Sequence, residues 1–281
     1  VEDEPAQKVV TELRRRQYHE PWGRPSHGDF DGVEATTLRD VTGFVSRHYR
    51  PNGAVLGVAG LFDFARLQDM VGELLADWQP AESPAPAERL QSAPYTHIPY
   101  QSAQTQIGIA YGSIPYRHED YFQAWGAVGV LSGGTSSRLF TEVREKRGLC
   151  YSVSATHHTL RDRAGVFCYA GTSADRAQET LDVTLAELRR LAEGVMPDEL
   201  GRLKARIKSS LIMQQESSAT RSGAIAIDWY HLGRVRGVAE LNALVDGLNC
   251  ESINAYLTAN PPRDFTVATV GPNPLETPIA V

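Results

Sequence analysis

Arg144 and Tyr151 stand seven residues apart in the stretch TEVREKRGLCYSV (141–153). A guanidinium offers a fixed fork of N–H donors, and a phenol offers one O–H. Side by side, they suit the carbonyl oxygens of an extended peptide, including one that is turning into an oxyanion. The wider block GGTSSRLFTEVREKRGLCYSV (133–153) supplies the geometry. Ser136 or Ser137 caps a helix over about 136–147 whose Leu139, Phe140 and Val143 face the core, and Gly148 stops it. Arg144 then lies in the last turn, and Tyr151 opens the next strand on the face of Leu149 and Val153. Both side chains reach one rim of the sheet. The same residues also admit a plainer reading, in which Arg144 neutralises the carbonyls at the helix end and Tyr151 packs. On chemistry alone that reading is the more economical one.

Other residue clusters carry less. Gly133-Gly134 before a helix lacks the Walker lysine and the GxGxxG pattern, so it reads as a tight turn. Arg138, Arg144, Lys146, Arg147, Arg161 and Arg163 are basic but have no interleaved aromatic set, which reads as a solvated face rather than a nucleic-acid surface. His157 and His158 are neighbours on a strand and point oppositely, and His118-Glu119 lacks a second histidine at helical spacing; all read as solvated surface groups. Cys150, Cys168 and Cys250 form no CxxC, and buried free thiols in a reducing compartment fit them best.

Composition agrees with a soluble globular chain of 281 residues, 42% hydrophobic and 22% charged. A formal charge of -6 gives no global attraction to nucleic acid or anionic lipid, so neither partner is expected. The longest apolar runs, such as AWGAVGVL (124–131), fall far short of the roughly 20 residues that span a bilayer. The start VEDEPAQKVV has none of the marks of a signal peptide, and a cytoplasmic location is the expectation.

The elements that must position the block follow from punctuation and periodicity. Helices are predicted over 2–18 and 37–48 and after Asp63, with a strand over 54–60. QPAESPAPAERLQSAP (79–94) cannot bury an apolar face and marks a domain boundary. Beyond it come strands at 95–100 and 104–113, helices at about 117–131 and 136–147, and strands at 149–157 and 165–172, the latter two forming a hairpin across HHTLRDR. Long helices over 175–193 and 197–217, shorter ones after them, and a last strand at 265–271 complete the pattern. DVTGFVSRHYRPNGAVLGVAG (40–60) and SINAYLTANPPRDFTVATVG (252–271) share helix, proline, strand and glycine, with proline and glycine nine apart in each. The fold class is therefore α/β, an α+β sandwich in which a unit of a sheet covered by helices is duplicated, with the first copy incomplete and the second complete. The domains expected are 1–78 as the end of a first domain, 79–94 as linker and 95–281 as a second domain.

The block SSRLFTEVREKRGLCYSVSA strongly resembles the second domain of the M16 peptidases, the pitrilysin, insulinase and mitochondrial processing peptidase group, particularly the bacterial two-domain members. HEPWGRP and HYRPNGAVLGVAGLFD extend the likeness over nearly the whole chain. The resemblance implies a zinc metalloendopeptidase, whose zinc comes from an HxxEH helix and a later glutamate of the first domain. It also implies that Arg144 and Tyr151 hold the substrate backbone and stabilise developing charge. The strand around Gly165, Val166, Phe167, Cys168 and Tyr169 is expected near the chamber wall, pairing with an extended peptide. A homodimer, or a heterodimer with another M16-like chain, is the implied assembly.

The departure is that none of the eight histidines belongs to an HxxEH, and the resemblance places that motif, with the third ligand, before Val1. At the equivalent places of the second copy stand Trp125, Val128 and Gly129, which cannot bind metal. This chain by itself is expected to be inactive. A non-catalytic subunit that supplies only the arginine and tyrosine, and a scaffold with no proteolytic role, are the competing readings. Zinc content separates them from a self-contained enzyme: the purified chain should carry no stoichiometric zinc by elemental analysis, and one tightly held zinc per chain would overturn the assignment.

Overall fold

The computed structural model describes residues 4–82, 85–89 and 94–277. In chain order the helices are α1 (Pro5–Tyr18), α2 (Phe30–Ala35), α3 (Leu38–His48), α4 (Phe64–Leu74), α5 (Tyr121–Ser132), α6 (Ala177–Arg190), α7 (Pro197–Gln215), α8 (Ser218–Leu232), α9 (Val238–Gly247) and α10 (Cys250–Ala259). The strands are β1 (Tyr95–Pro99), β2 (Gln104–Ser113), β3 (Ser152–Thr159), β4 (Ala164–Ser173) and β5 (Thr266–Gly271). The chain divides into two compact units, one from Val1–Arg24, Glu88–Lys208 and Ala239–Val281, the other from Pro25–Ala87 and Ser209–Val238.

The first unit is built on a five-stranded sheet of order β1-β5-β2-β4-β3, antiparallel throughout except for the parallel pair β1 and β5. Strand alternation sends Ala110, Phe167 and Tyr169 to one face, where Val9 and Leu13 of α1 pack against them together with Ala268 and Val270. Ile107, Ile109, Val166, Cys168 and Ala170 point the other way and are buried, on the side where α6 lies on β2 and β4. α5 packs on β3 and against α10. Its apolar residues run all round the helix, as a helix enclosed by its neighbours requires. Gly129 is where α7 comes closest: a Cβ there would meet the Leu203 side chain at 2.7 Å. The sequence reading groups α1 with the first 78 residues, whereas in the structure this helix covers the five-stranded sheet. Val9 and Leu13 are four apart and both fully buried there, which places one helical stripe on the strands.

The second unit holds α2, α3, α4 and α8. The helix starts expected at Thr37 and Asp63 are both capped. Thr37 and Asp40 form a capping box on α3, and the Asp63 side chain accepts the Arg66 N–H at 2.9 Å at the start of α4. The strand predicted over 54–60 is absent; those residues run without strand pairing. Their counterpart in the second copy, β5, sits between β1 and β2 and has ladder partners on both sides. A strand exists only by pairing, and among the described residues 54–60 has nothing to pair with. Apolar side chains of α3 and α4, among them Leu38, Phe44, Phe64 and Leu74, are exposed in this unit. Of the proposed linker 79–94, residues 83–84 and 90–93 lie outside the described set.

The best-buried ion pair in the first unit joins Arg138 to Glu199 on α7. The Arg138 side chain is 8% exposed and donates from Nε and Nη2 to the two Glu199 oxygens at 2.7 and 2.8 Å, and from Nη2 to the Gly194 carbonyl at 2.7 Å. Burial pushes the Glu199 carboxyl up, but hydrogen bonds from Arg138 and the Met196 N–H and the Arg138 charge outweigh it and hold the group below its ordinary range. A carboxyl lowered on folding contributes stability that is present above its unfolded value, about 4.3, and is lost as pH falls through the lower folded value. Arg138→Met, which strands the buried carboxylate, should cost about 3–5 kcal/mol in urea unfolding. Glu199→Gln should flatten the loss of melting temperature as pH falls below about 4.3, relative to the parent.

Candidate functional site

Residues 138–147 build the rim that carries Arg144. The helix predicted at 136–147 is present from Arg138 but widens into a π-helical turn over Phe140–Glu145, where the Lys146 N–H reaches back five residues to the Thr141 carbonyl at 2.9 Å. Neither predicted serine cap forms; the Ser137 hydroxyl donates instead to the Gly134 carbonyl at 2.6 Å. Leu139 and Val143 are fully buried and fix one side of the turn. On the other side the Arg144 guanidinium lies over the Phe140 ring, 4.8 Å from its centroid. Arg144 is exposed and makes no ion pair among the described residues. Its charge opposes the upward push that burial exerts on the Cys150 thiol, which sets it near the residue before Tyr151.

Gly148 reverses the chain with φ 59°, a left-handed conformation that a side chain resists, as the sequence predicts. Its N–H bonds to the Arg144 carbonyl at 2.9 Å, and the Leu149 N–H to the Val143 carbonyl at 3.0 Å. Tyr151 is joined to β4 by its backbone, N–H to the Gly171 carbonyl at 3.1 Å, while its side chain is 74% exposed. Leu149, expected on the same face, is buried, because its side chain enters the core before the strand begins.

The plainer reading of the pair therefore loses both its supports. Tyr151 does not pack, and the carbonyls at the end of the turn are taken by Arg176, from Nη1 to Gly148 at 3.0 Å and from Nη2 to Arg147 at 3.1 Å. Sequence reasoning missed Arg176, since a contact across 28 residues leaves no local signal.

The five β4 residues proposed to pair with peptide are placed differently. Gly165, Val166, Phe167, Cys168 and Tyr169 lie in an interior strand, bonded to β2 on one side and β3 on the other. Their backbone groups are committed in both directions, so no ladder is open for an added strand. What β4 offers outward is side chains. Tyr169 and Phe167 are half-buried beside α1, and the Tyr169 hydroxyl donates to Gln106 Oε1 at 2.6 Å. On the same face of β3, opposite them in register, Ser152, Ser154 and Thr156 are exposed, which makes a polar shelf on the face of the sheet that alternation turns away from Tyr151 and Val153.

Most of the proposed basic face is neutralised. Arg138 pairs with Glu199, Lys146 and Arg147 with Glu142, and Arg163 with Glu88. His157 and His158 do point to opposite faces, but they are not solvated. His157 Nε2 lies 3.0 Å from Ser113 Oγ and His158 Nδ1 lies 2.8 Å from Tyr18 Oη. Burial pulls the His157 pKa down to about 4 and, with a smaller push from Arg14, lowers that of His158. Among the described residues no group of three His, Cys, Asp or Glu is placed to hold a metal. On α5, Trp125, Val128 and Gly129 offer no ligand atoms, and Gly129 faces Leu203, so the second copy does not fit zinc. No helix among the described residues is long and apolar enough to cross a membrane.

These features belong to a known class. The family profile described as "Peptidase M16 inactive domain" matches residues 35–207, and the chain belongs to that family. An "Uncharacterized zinc protease" of Rickettsia felis is 27% identical over 264 residues, covering 91% of this chain and 62% of its own length. One from Bacillus subtilis is 26% identical over 281 residues, covering 97% of this chain and 67% of its own. The chain thus spans about three fifths to two thirds of the length of these curated relatives. Among solved structures, a peptidase M16 inactive domain from Pseudomonas fluorescens superposes with TM-score 0.82 at 21% identity, over 99% of this chain and 68% of that one. A protease from Helicobacter pylori gives 0.84 at 18% identity, over 97% and 68%. At these identities the structures establish the fold.

Two buried cysteines give a check on the site's surroundings. Burial pushes the Cys168 thiol up to about 12 and raises Cys150 as well. Thiols so shifted hold little thiolate at neutral pH. Iodoacetamide at pH 7.5 should leave Cys150 and Cys168 unmodified in the native chain and label both in denaturant, as read by peptide mass spectrometry.

Proposed function

We propose that this chain grips and positions an extended peptide substrate within an M16-type zinc metalloendopeptidase, with Arg144 and Tyr151 as the gripping pair. The observation that carries the reading is their shared situation: both side chains are exposed and neither caps the turn, Arg144 resting only on the Phe140 ring, while the backbone between them is held from behind. A long cationic side chain and a large aromatic one kept outward on a rigid frame are suited to a ligand.

The residues divide the work. The Arg144 guanidinium, steadied on the Phe140 ring, presents N–H donors to successive backbone carbonyls of the substrate. The Tyr151 hydroxyl donates to the reacting carbonyl and becomes a better partner as that oxygen gains charge. Zinc in such an enzyme would be held by ligands other than those found among the described residues; the relatives carry the name zinc protease, which supports a zinc enzyme as the setting. A second M16-type chain, identical or not, is the partner this reading expects.

In the full-length protein, Tyr151→Phe should lower turnover on the order of 100-fold to 1,000-fold. Arg144→Ala should raise KM as well as lower kcat, since it removes binding present before the transition state. Melting temperature should stay within about 2 °C of the parent for both, as expected for exposed side chains. Unaltered turnover in both variants would sink the reading.

A further inference from the structure

The connection between Arg144 and Tyr151 is held by more hydrogen bonds than a simple turn needs. Three successive carbonyls, those of Arg147, Gly148 and Leu149, each accept a bond from the region where β4 ends and α6 begins. Arg176 takes the first two, at 3.1 and 3.0 Å, and the Thr172 hydroxyl takes the third at 2.6 Å. Thr172 and Thr180 are fully buried. Thr180 Oγ1 is 3.1 Å from the Thr172 hydroxyl and donates to the Arg176 carbonyl at 2.8 Å, which fixes the backbone from which the Arg176 side chain leaves. The Gly148 and Leu149 N–H groups point back into the π-helical turn. Among the described residues, the side-chain donors on the Arg147 and Gly148 carbonyls are those of one arginine.

We propose that Arg176 is a positioning residue whose two-pronged hold on the Arg147 and Gly148 carbonyls sets the spacing of Arg144 and Tyr151. The fork matters. A guanidinium can hold two adjacent carbonyls in one plane, whereas an ammonium of the same charge holds a point. Arg176 itself touches no substrate in this scheme; it acts through the turn. An ordinary helix-end role would make Arg176 matter to stability alone, because Arg147 and Gly148 are the last residues before the chain reverses. A positioning role makes it matter to binding by residues it does not contact.

The proposal rests on the reading of Arg144 and Tyr151 as the gripping pair, and the test separates the two. The probe is a short fluorescein-labelled peptide rich in serine, threonine and alanine, unfolded in water, and the readout is its anisotropy on titration with this chain, which requires no zinc. Arg176→Ala should weaken binding at least about tenfold, the scale expected when a binding group is displaced by an ångström or so. Its melting temperature should fall by no more than about 5 °C. Arg176→Lys should lie between parent and Arg176→Ala. Amide exchange should accelerate in peptides covering 144–151 and not in β2. Arg144→Ala and Tyr151→Phe are run alongside. If both weaken binding while Arg176→Ala binds like the parent, the positioning role is wrong and the gripping pair stands. If the parent does not bind, or neither control weakens binding, the gripping pair fails and the positioning role with it.

Discussion

The buried pair of Arg138 and Glu199 is the constraint on which the rest of the rim depends. It joins the entry of the π-helical turn to α7 and to the loop before it, through three bonds of 2.7–2.8 Å from one guanidinium. Taking both charges out of water is costly, and the pair is tolerable only because the carboxylate also receives the Met196 N–H and the guanidinium also reaches the Gly194 carbonyl. With the entry fixed there and the exit fixed by the left-handed turn at Gly148, the wound segment between them has one free side. Arg144 projects from that side. Its position is a consequence of two anchors, neither of which is next to it in the chain.

The sheet is committed in the same way. Its interior strands have helices over their faces and neighbours along both edges, so Gly165 to Tyr169 serve as a wall and not as a docking strand. Surface suited to ligand lies instead just before β3 begins, where the Tyr151 side chain is exposed. Interior placement also explains the cysteines: Cys168 is on the buried face of β4 and Cys150 enters the core before β3, which makes both packing residues.

The duplicated signature shows what identical local signals do in different surroundings. Residues 252–271 and 40–60 carry the same order of helix, proline and apolar run. In the first of these the run becomes β5 because β1 and β2 lie on either side of it. In the other it remains without strand pairing among the described residues. Propensity proposes a strand, and hydrogen-bonding partners decide whether there is one.

By itself the sequence determined the elements that depend on neighbours in the chain. These include the helix start at Thr37 and the cap at Asp63, the reversal at Gly148, the hairpin at 160–163, the succession of helices and strands along the chain beyond residue 94, and the block that marks the M16 family. Arg144 and Tyr151 were legible as a candidate pair because their types and spacing are local facts. Whether they faced solvent or the core was not legible, since the packing alternative uses the same letters. Tertiary structure decided that: Arg176 satisfies the carbonyls that Arg144 was free to cap, and β4, read as a peptide-pairing strand, is enclosed by β2 and β3. It likewise turned His157 and His158 from surface groups into half-buried ones by setting Ser113 and Tyr18 against them. Strand neighbours and long-range hydrogen bonds depend on which distant segments meet, and a linear pattern of residue types carries no record of that.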